Sequence, residues 1–160
     1  MNSGANKYLV LTAFVCGAVI MVIELIGSRV IGPSFGVSLY VWTSLITVTL
    51  VSLSAGYYLG GKLADEKSSF TALFMVILAA GVYLVFVPLM KGAVLGKSLS
   101  LGLRAGSLVS STVLFGPPLL LLGIVAPYVV KLYMGGASVG LGKTVGWLYA
   151  VSTLGSFLGT

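Results

Sequence analysis

One acidic residue of this chain falls inside a long apolar segment, and it is the first candidate for chemistry. Glu24 has apolar neighbours on both sides, and Arg29 follows it five positions later. An ionised side chain among apolar residues is costly unless it faces protein or water, so such a residue marks a functional site by default. On an ideal helix a five-residue separation turns the two side chains about 140° apart. Two interpretations stay open: a structural ion pair, or a site that binds a substrate, a cation or a proton.

Two further stretches place hydroxyl groups on one face of a helix. At about 100° per residue, the three hydroxyls of each stretch fall close together on the helix surface. Such a face can line a polar cavity, and it can equally hydrogen-bond to a neighbouring helix. The residues are Thr43, Thr47 and Ser54 in the second apolar segment and Tyr149, Thr153 and Ser156 in the last.

The composition excludes several classes of site. The chain has no histidine, a single cysteine and three acidic residues. A zinc, di-iron or haem site needs more ligands of these types than the chain offers, so we predict no metal, no cofactor and no catalytic residue. Histidine-based acid–base catalysis is excluded outright. Cys16 has no partner for a disulfide within the chain, and its place inside an apolar run predicts a small buried residue.

The basic residues do not form a nucleic-acid surface. Nine Lys and Arg residues give a net charge of +6, but they are scattered singly between apolar runs. This spacing is typical of residues at a membrane interface, where anionic lipid supplies the counter-charge. Residues 137–144 satisfy a relaxed P-loop pattern, but a P-loop follows a β-strand, and these residues follow an apolar helix. We therefore predict that neither nucleic acid nor a nucleotide is a partner.

Five uncharged, apolar stretches determine the fold class. They span residues 8–23, 30–61, 68–90, 105–130 and 144–160. A bilayer core about 30 Å thick requires roughly 20 apolar residues per helix, and a helix satisfies its own backbone hydrogen bonds in lipid. Charged residues make up 8% of the chain, against about 25% in a soluble domain. The sequence therefore predicts one all-α membrane domain, residues 1–160, built as a polytopic bundle of about five transmembrane helices.

Turn residues and charges set the predicted boundaries. The helices are expected at about residues 8–31, 38–59, 70–90, 105–130 and 144–160. Gly and Pro at 32–36 predict the first turn, and charged or Gly-rich stretches predict loops at 60–69, 91–104 and 131–143. Pro117 and Pro118 interrupt the fourth helix. Because proline lacks an amide proton, we expect a hinge there, formed by a kink or by local unwinding.

Two glycine pairs indicate an internal repeat. Gly56 and Gly60 in the second helix match Gly155 and Gly159 in the fifth, 99 residues later, each as Gly-x-x-x-Gly. Helices three crossings apart run in opposite directions, so the match is typical of the inverted three-helix repeats of transporters. The alternative is a chance match among 22 glycines. The glycines predict close helix packing, and the repeat interpretation leaves the second half without its sixth helix.

Several segments resemble the membrane domain attached to bacterial spermidine synthase-like proteins, which are polyamine aminopropyltransferases. The main ones are ELIGSRVIGPSFGVS at residues 24–38, LSAGYYLGGKLAD at residues 53–65 and GWLYAVSTLGSFLG at residues 146–159. The resemblance covers nearly the whole chain except residues 98–115. Residues 61–65 are also similar to a cytoplasmic loop of the major facilitator superfamily. The resemblance implies a multi-pass protein of the bacterial inner (plasma) membrane with a cytoplasmic N-terminus.

The resemblance does not imply an enzymatic activity for this chain. Aminopropyl transfer in that family uses a soluble α/β domain with acidic residues for the cofactor and the polyamine, and this chain has no such domain. The leading function is therefore a non-catalytic membrane domain that handles or positions a small polar or cationic solute. Two alternatives stay open: a structural or assembly subunit of a membrane complex, and the membrane anchor of a separately encoded aminopropyltransferase-like enzyme.

The last helix is the expected contact with a partner other than the lipid bilayer. It has 17 residues from position 144, the short limit for a membrane span. Gly155 and Gly159 give it a smooth surface, and the missing sixth helix leaves one face of the bundle uncovered. We therefore expect self-association, or docking on another membrane protein, through this helix. The alternative is that lipid covers this face.

We predict that the N-terminus is cytoplasmic, which places position 65 inside the cell and position 97 outside. The facilitator-like segment at 61–65 supports this, although the Lys and Arg counts on the two sides, five against four, give almost no bias. The variants Asp65→Cys and Lys97→Cys, each made in a Cys16→Ala background, test it with a membrane-impermeant maleimide. Labelling from the periplasm is expected at position 97 alone, and labelling at position 65 alone would contradict the prediction.

Overall fold

The chain folds as a bundle of long helices. The computed structural model describes residues 3–66, 68–135 and 140–160, and within these ranges it contains no β-strand. The five helices are α1 (Ser3–Phe35), α2 (Leu39–Glu66), α3 (Phe70–Leu99), α4 (Gly102–Met134) and α5 (Leu141–Leu158). The predicted all-α architecture is confirmed.

Four of the helices are long and apolar enough to span a membrane. They are α1 to α4, each with 28 to 33 residues. The fifth, α5, has 18 residues, about 27 Å at 1.5 Å per residue. The described residues thus contain four candidate spans where about five were expected, and they have the character of a multi-pass membrane protein.

The helices are longer than the sequence predicts. α2 continues to Glu66 and α3 to Leu99, so most of the loops expected at 60–69 and 91–104 are helical. The six charged side chains of these turns that the structure describes are exposed, and the long stems of the basic ones can reach the lipid headgroups. In the sequence, charge therefore marks where the apolar core of the membrane ends and not where the helix ends.

The first turn also comes later than expected. Pro33 lies inside α1, which ends at Phe35, so the turn predicted over 32–36 begins only at its last residue. A proline close to the end of a helix removes one hydrogen bond without preventing the final turn. Gly36 then terminates α1 with a φ of +76°, and its amide donates to the Gly32 carbonyl at 2.7 Å.

The most extensive helix contact joins α2 to α4, which run parallel. A β-carbon added at Gly56 would collide with the carbonyl oxygen of Leu120, and one added at Gly60 would lie 2.6 Å from that of Ile124. Gly123 of α4 lies opposite, and the α2 backbone fills the space beside it. The two backbones approach closely because neither helix carries a side chain at these points.

α5 packs on α1 in the same way. A β-carbon added at Gly155 would collide with the carbonyl oxygen of Phe14, and one at Gly159 would lie 2.5 Å from that of Ala18. Gly17 of α1 lies opposite, against the α5 backbone. The glycine surface expected to receive a second protein is therefore occupied by α1 of the same chain. A partner of α5 would have to use another of its faces.

These two contacts are copies of each other. Adding 99 to an α2 position gives its counterpart in α5, and subtracting 106 from an α4 position gives its counterpart in α1. The matched pairs are Gly56–Leu120 with Gly155–Phe14, Gly60–Ile124 with Gly159–Ala18, and Leu53–Gly123 with Ser152–Gly17. Helices α1 and α4 are three crossings apart and run in opposite directions. Three contacts in one register support an inverted repeat and are not expected from chance glycine matches.

The prolines of α4 do not interrupt it. The α-helix is continuous over Gly102–Met134 through Pro117 and Pro118, so local unwinding does not occur, and a bend at this point stays a prediction. Pro117 has no amide proton for the carbonyl of Val113, four residues earlier. The Tyr83 hydroxyl of α3 donates to that carbonyl at 2.6 Å. The Tyr83 hydroxyl thus supplies the hydrogen bond to the Val113 carbonyl that the lipid of a bilayer could not supply.

Polar contacts hold both ends of the α2–α4 pair. At one end Arg104 Nη2 donates to the Tyr40 hydroxyl at 2.8 Å, and its guanidinium carbon lies 4.7 Å from the centre of the ring. At the other end Lys131 Nζ lies 2.6 Å from a carboxylate oxygen of Asp65. Both contacts are exposed, so each contributes about 1 kcal/mol or less, and their main effect is to fix the register of the two helices.

We expect Gly56→Leu to destabilise the bundle by about 2 kcal/mol or more, because the leucine side chain would force α2 away from the α4 backbone. Gly61→Leu is the matched control, since a β-carbon at that position has nothing within 4 Å. Reversible unfolding in mixed micelles measures both variants. Equal stability of the two would contradict the close approach of α2 and α4.

We expect Tyr83→Phe to cost about 1 kcal/mol, the usual contribution of a hydrogen bond between membrane helices. In a Pro117→Ala background this cost should largely disappear, because the restored amide at position 117 bonds the Val113 carbonyl within α4. A double-mutant cycle in the same unfolding assay measures the coupling. An equal cost in both backgrounds would show that the freed carbonyl is not what the tyrosine satisfies.

Candidate functional site

The structure does not pair Glu24 with Arg29. Arg29 is exposed and lines an open groove beside Trp42, whereas Glu24 is partly buried. The single ion pair within the described ranges is Lys131–Asp65. Because α1 is a continuous helix, the five-residue separation keeps the two side chains on different sides of it. Glu24 therefore retains a carboxylate with no ion-pair partner in the described part of the chain.

The predicted hydroxyl faces of α2 and α5 do not meet. Thr43, Thr47 and Ser54 lie on the exposed outer side of α2, and the Thr43 hydroxyl donates to a carbonyl of its own helix at 2.8 Å. Thr153 is exposed as well and donates to the Tyr149 carbonyl at 2.8 Å. Of the eight residues that the sequence suggests for a polar site, Tyr149 is the one that lines the cavity between α1, α2, α4 and α5.

A small cavity lies where α1, α2, α4 and α5 meet. Its volume is about 50 Å³, enough for one or a few water-sized molecules. It lies between the two glycine contacts, so both halves of the repeat contribute to its wall. Its polar lining residues are Cys16, Tyr57, Tyr149 and Ser152, and its other lining residues are apolar except for Gly17.

The cavity wall offers hydrogen bonds but no charge. Two phenols, one hydroxyl and one thiol can donate or accept, which suits water or a small polar molecule. Glu24 lies one turn beyond Ile20, a lining residue, on the same side of α1. Its counterpart in the other half of the repeat, Val130, lines the cavity. A carboxylate is therefore available one helical turn from the wall.

A buried serine cluster between α2 and α4 was not predicted from the sequence. The hydroxyl oxygens of Ser44 and Ser107 lie 2.9 Å apart across the interface, and the Ser111 hydroxyl donates to the Ser107 carbonyl at 2.8 Å. Ser110 is fully buried, and its hydroxyl has no hydrogen-bond partner in the part of the chain that is described. The first of these bonds joins the two helices directly, so the cluster belongs to the α2–α4 contact.

Within the described ranges, no group of three or more His, Cys, Asp or Glu side chains is arranged to hold a metal ion. Of the P-loop-like run, residues 137–139 lie outside the described residues, and the remainder leads directly into α5.

Comparisons with known proteins add no relative. No family model, no curated protein sequence and no solved structure matches this chain. The resemblance to the membrane domain of spermidine synthase-like proteins therefore stays a prediction, and the function has to be inferred from the geometry of the chain itself.

Proposed function

We propose that this chain is a non-catalytic membrane domain that holds a small polar solute in the cavity between its two halves. The observation that carries the proposal is the position of the cavity, at the junction of α1, α2, α4 and α5. In inverted-repeat transporters the solute site lies at the interface of the repeats, near the middle of the bilayer. The proposal places the domain in a bacterial inner membrane with the N-terminus in the cytoplasm.

The cavity wall favours a small solute with several hydrogen-bonding groups. Tyr57 and Tyr149 provide phenolic hydroxyls on α2 and α5, and Ser152 adds a third. A cationic solute needs a counter-charge, and Glu24, one turn from the wall, is the acidic residue placed to supply it. Arg29 faces an outer groove and has no role in this site.

A cavity-filling variant tests the proposal. Ala126 lines the cavity, and Ala126→Leu should fill it, whereas Ala79→Leu adds the same volume on the exposed side of α3. Proteoliposomes are exposed to urea, glycerol and methylammonium. Binding is measured as a shift in unfolding temperature and flux as vesicle swelling. We expect at least one solute to bind or cross with the native protein and with Ala79→Leu, and to do so about tenfold less well with Ala126→Leu, a loss of about 1.4 kcal/mol.

Two milder variants show whether a loss of binding in Ala126→Leu comes from the filled cavity or from misfolding of the protein. Tyr149→Phe removes a hydroxyl without adding volume and should weaken the same solute. Glu24→Gln should weaken methylammonium alone if the solute is cationic, and should leave urea and glycerol unchanged. If no solute binds or crosses above protein-free vesicles, or if Ala126→Leu behaves like Ala79→Leu, the proposed function is wrong.

A further inference from the structure

An open groove lies on the outer side of the α1–α5 pair, away from the central cavity. Its volume is about 730 Å³, within the usual range for a small-molecule site. Trp147 and Val151 of α5 line the groove, whereas Leu148 and Ser152, the residues that follow each of them, line the cavity. The contact between α1 and α5 therefore separates the two spaces, and we call the outer one the α1–α5 groove.

The two ends of the α1–α5 groove differ in chemistry. Lys7 and Trp147 stand near the beginnings of α1 and α5, and Tyr133, near the end of α4, completes this polar end. One or two turns further along α1 and α5 the lining is apolar. The apolar residues are Val10, Leu11, Phe14 and Val151. A cation and two aromatic side chains above an apolar floor are typical of the boundary between the headgroups and the hydrocarbon of a bilayer.

The polar end of the groove is positively charged. Lys7 is exposed and forms no ion pair within the described ranges, and none of the described residues that line the groove is acidic. Lys143, also exposed, precedes Trp147 by one turn on the same side of α5. Two cations thus lie at this end, and the groove supplies no counter-charge of its own.

Both halves of the inverted repeat leave this side of the bundle open, but only one of them carries the charge. Val113 and Pro117 of α4, which correspond to two lining residues of α1, are exposed although α3 covers the neighbouring side of α4. Lys7 corresponds to Val113, and Trp147 corresponds to Val48 of α2. The cation and the indole are therefore features of the α1–α5 half alone, which points to a ligand of that half.

We propose that the α1–α5 groove binds one anionic phospholipid, with the phosphate beside Lys7 and one acyl chain along the apolar floor. The Lys7 ammonium offers the phosphate a charge-assisted hydrogen bond. The indole N–H of Trp147 and the hydroxyl of Tyr133 are further donors at the same end of the groove. Because α1, α4 and α5 all contribute to the lining, the bound lipid contacts three helices at once.

Two simpler ligands match only part of the groove. A soluble phosphate would meet Lys7 but would leave the floor at Val10 and Phe14 uncovered. A zwitterionic lipid would cover the floor, but its own cation would offset the attraction of its phosphate to Lys7. An anionic phospholipid satisfies both ends of the groove.

Quenching of Trp147 fluorescence by brominated lipids tests this inference. The chain has two tryptophans, so Trp42→Phe leaves Trp147 as the single indole. The protein is reconstituted into phosphatidylcholine vesicles that contain either dibrominated phosphatidylglycerol or dibrominated phosphatidylcholine at the same fraction. We expect the anionic lipid to bind beside Trp147 about tenfold more strongly, since two lysines attract it. Lys7→Gln should lower this preference about fivefold, and Lys7→Arg, which keeps the charge, should retain it.

A second pair of variants separates a lipid in the groove from general attraction to a lysine. Val10→Phe narrows the apolar floor, and Val15→Phe makes the same change on α1 outside the groove. We expect Val10→Phe to remove most of the preference for the anionic lipid and Val15→Phe to leave it unchanged. Soluble glycerol phosphate should not relieve the quenching, because it has no acyl chain to cover the floor.

Four outcomes would overturn the inference. They are equal quenching by the two brominated lipids, an unchanged preference in Lys7→Gln, an unchanged preference in Val10→Phe, and relief of the quenching by glycerol phosphate. The inference concerns the outer side of the α1–α5 pair and not a solute in the central cavity. Failure of the solute assays would therefore leave it standing, and its own failure would not affect the proposed function.

Discussion

The close approach of two pairs of helix backbones is the constraint on which the rest of this structure depends. In a bilayer, lipid is as apolar as leucine, so helices associate mainly through van der Waals packing and hydrogen bonds between them. Gly56, Gly60 and Gly123 allow α2 and α4 to make such a contact, and Gly17, Gly155 and Gly159 do the same for α1 and α5. The central cavity is the space left between these two pairs.

The inverted repeat explains why equivalent helices have such different surroundings. α4 receives α2 on one side and α3 on another, and its ends are held by Tyr40 and Asp65. α1 receives α5 in the position equivalent to α2, but nothing among the described residues occupies the position equivalent to α3. Tyr128 is accordingly buried, whereas Val22, the corresponding residue of α1, is exposed.

Much of the fold could be predicted from the sequence. Uncharged runs indicate where a helix can span the membrane, and glycine spacing indicates where two helices can pack closely. The repeat is visible in the sequences of α2 and α5 but not in those of α1 and α4, because the segment from Gly123 to Gly155 is seven residues shorter than that from Gly17 to Gly56. The two helix pairs therefore need different shifts, and a search with a single shift finds only one of them. Likewise, Gly155 and Gly159 indicate a docking surface but do not say which helix occupies it.

The candidate site was harder to predict, because angular clustering of side chains does not reveal which way a helix faces. Thr43, Thr47 and Ser54 do share one side of α2, but that side faces away from α4. Ser44, a single position from Thr43, faces inward and bonds to Ser107. Only the packing of α2 on α4 decides between these two sides, and that packing is a tertiary property.

The central claim is that the α1–α5 pair is an inverted copy of the α4–α2 pair. Distances between spin labels test it directly, in lipid nanodiscs and in a Cys16→Ala background. One sample carries Lys7→Cys with Thr153→Cys, and the other carries the equivalent exposed positions, Val113→Cys with Ser54→Cys. Double electron–electron resonance should give two distance distributions with the same centre. Distributions that do not overlap would show that the two helix pairs are not related by an inverted repeat.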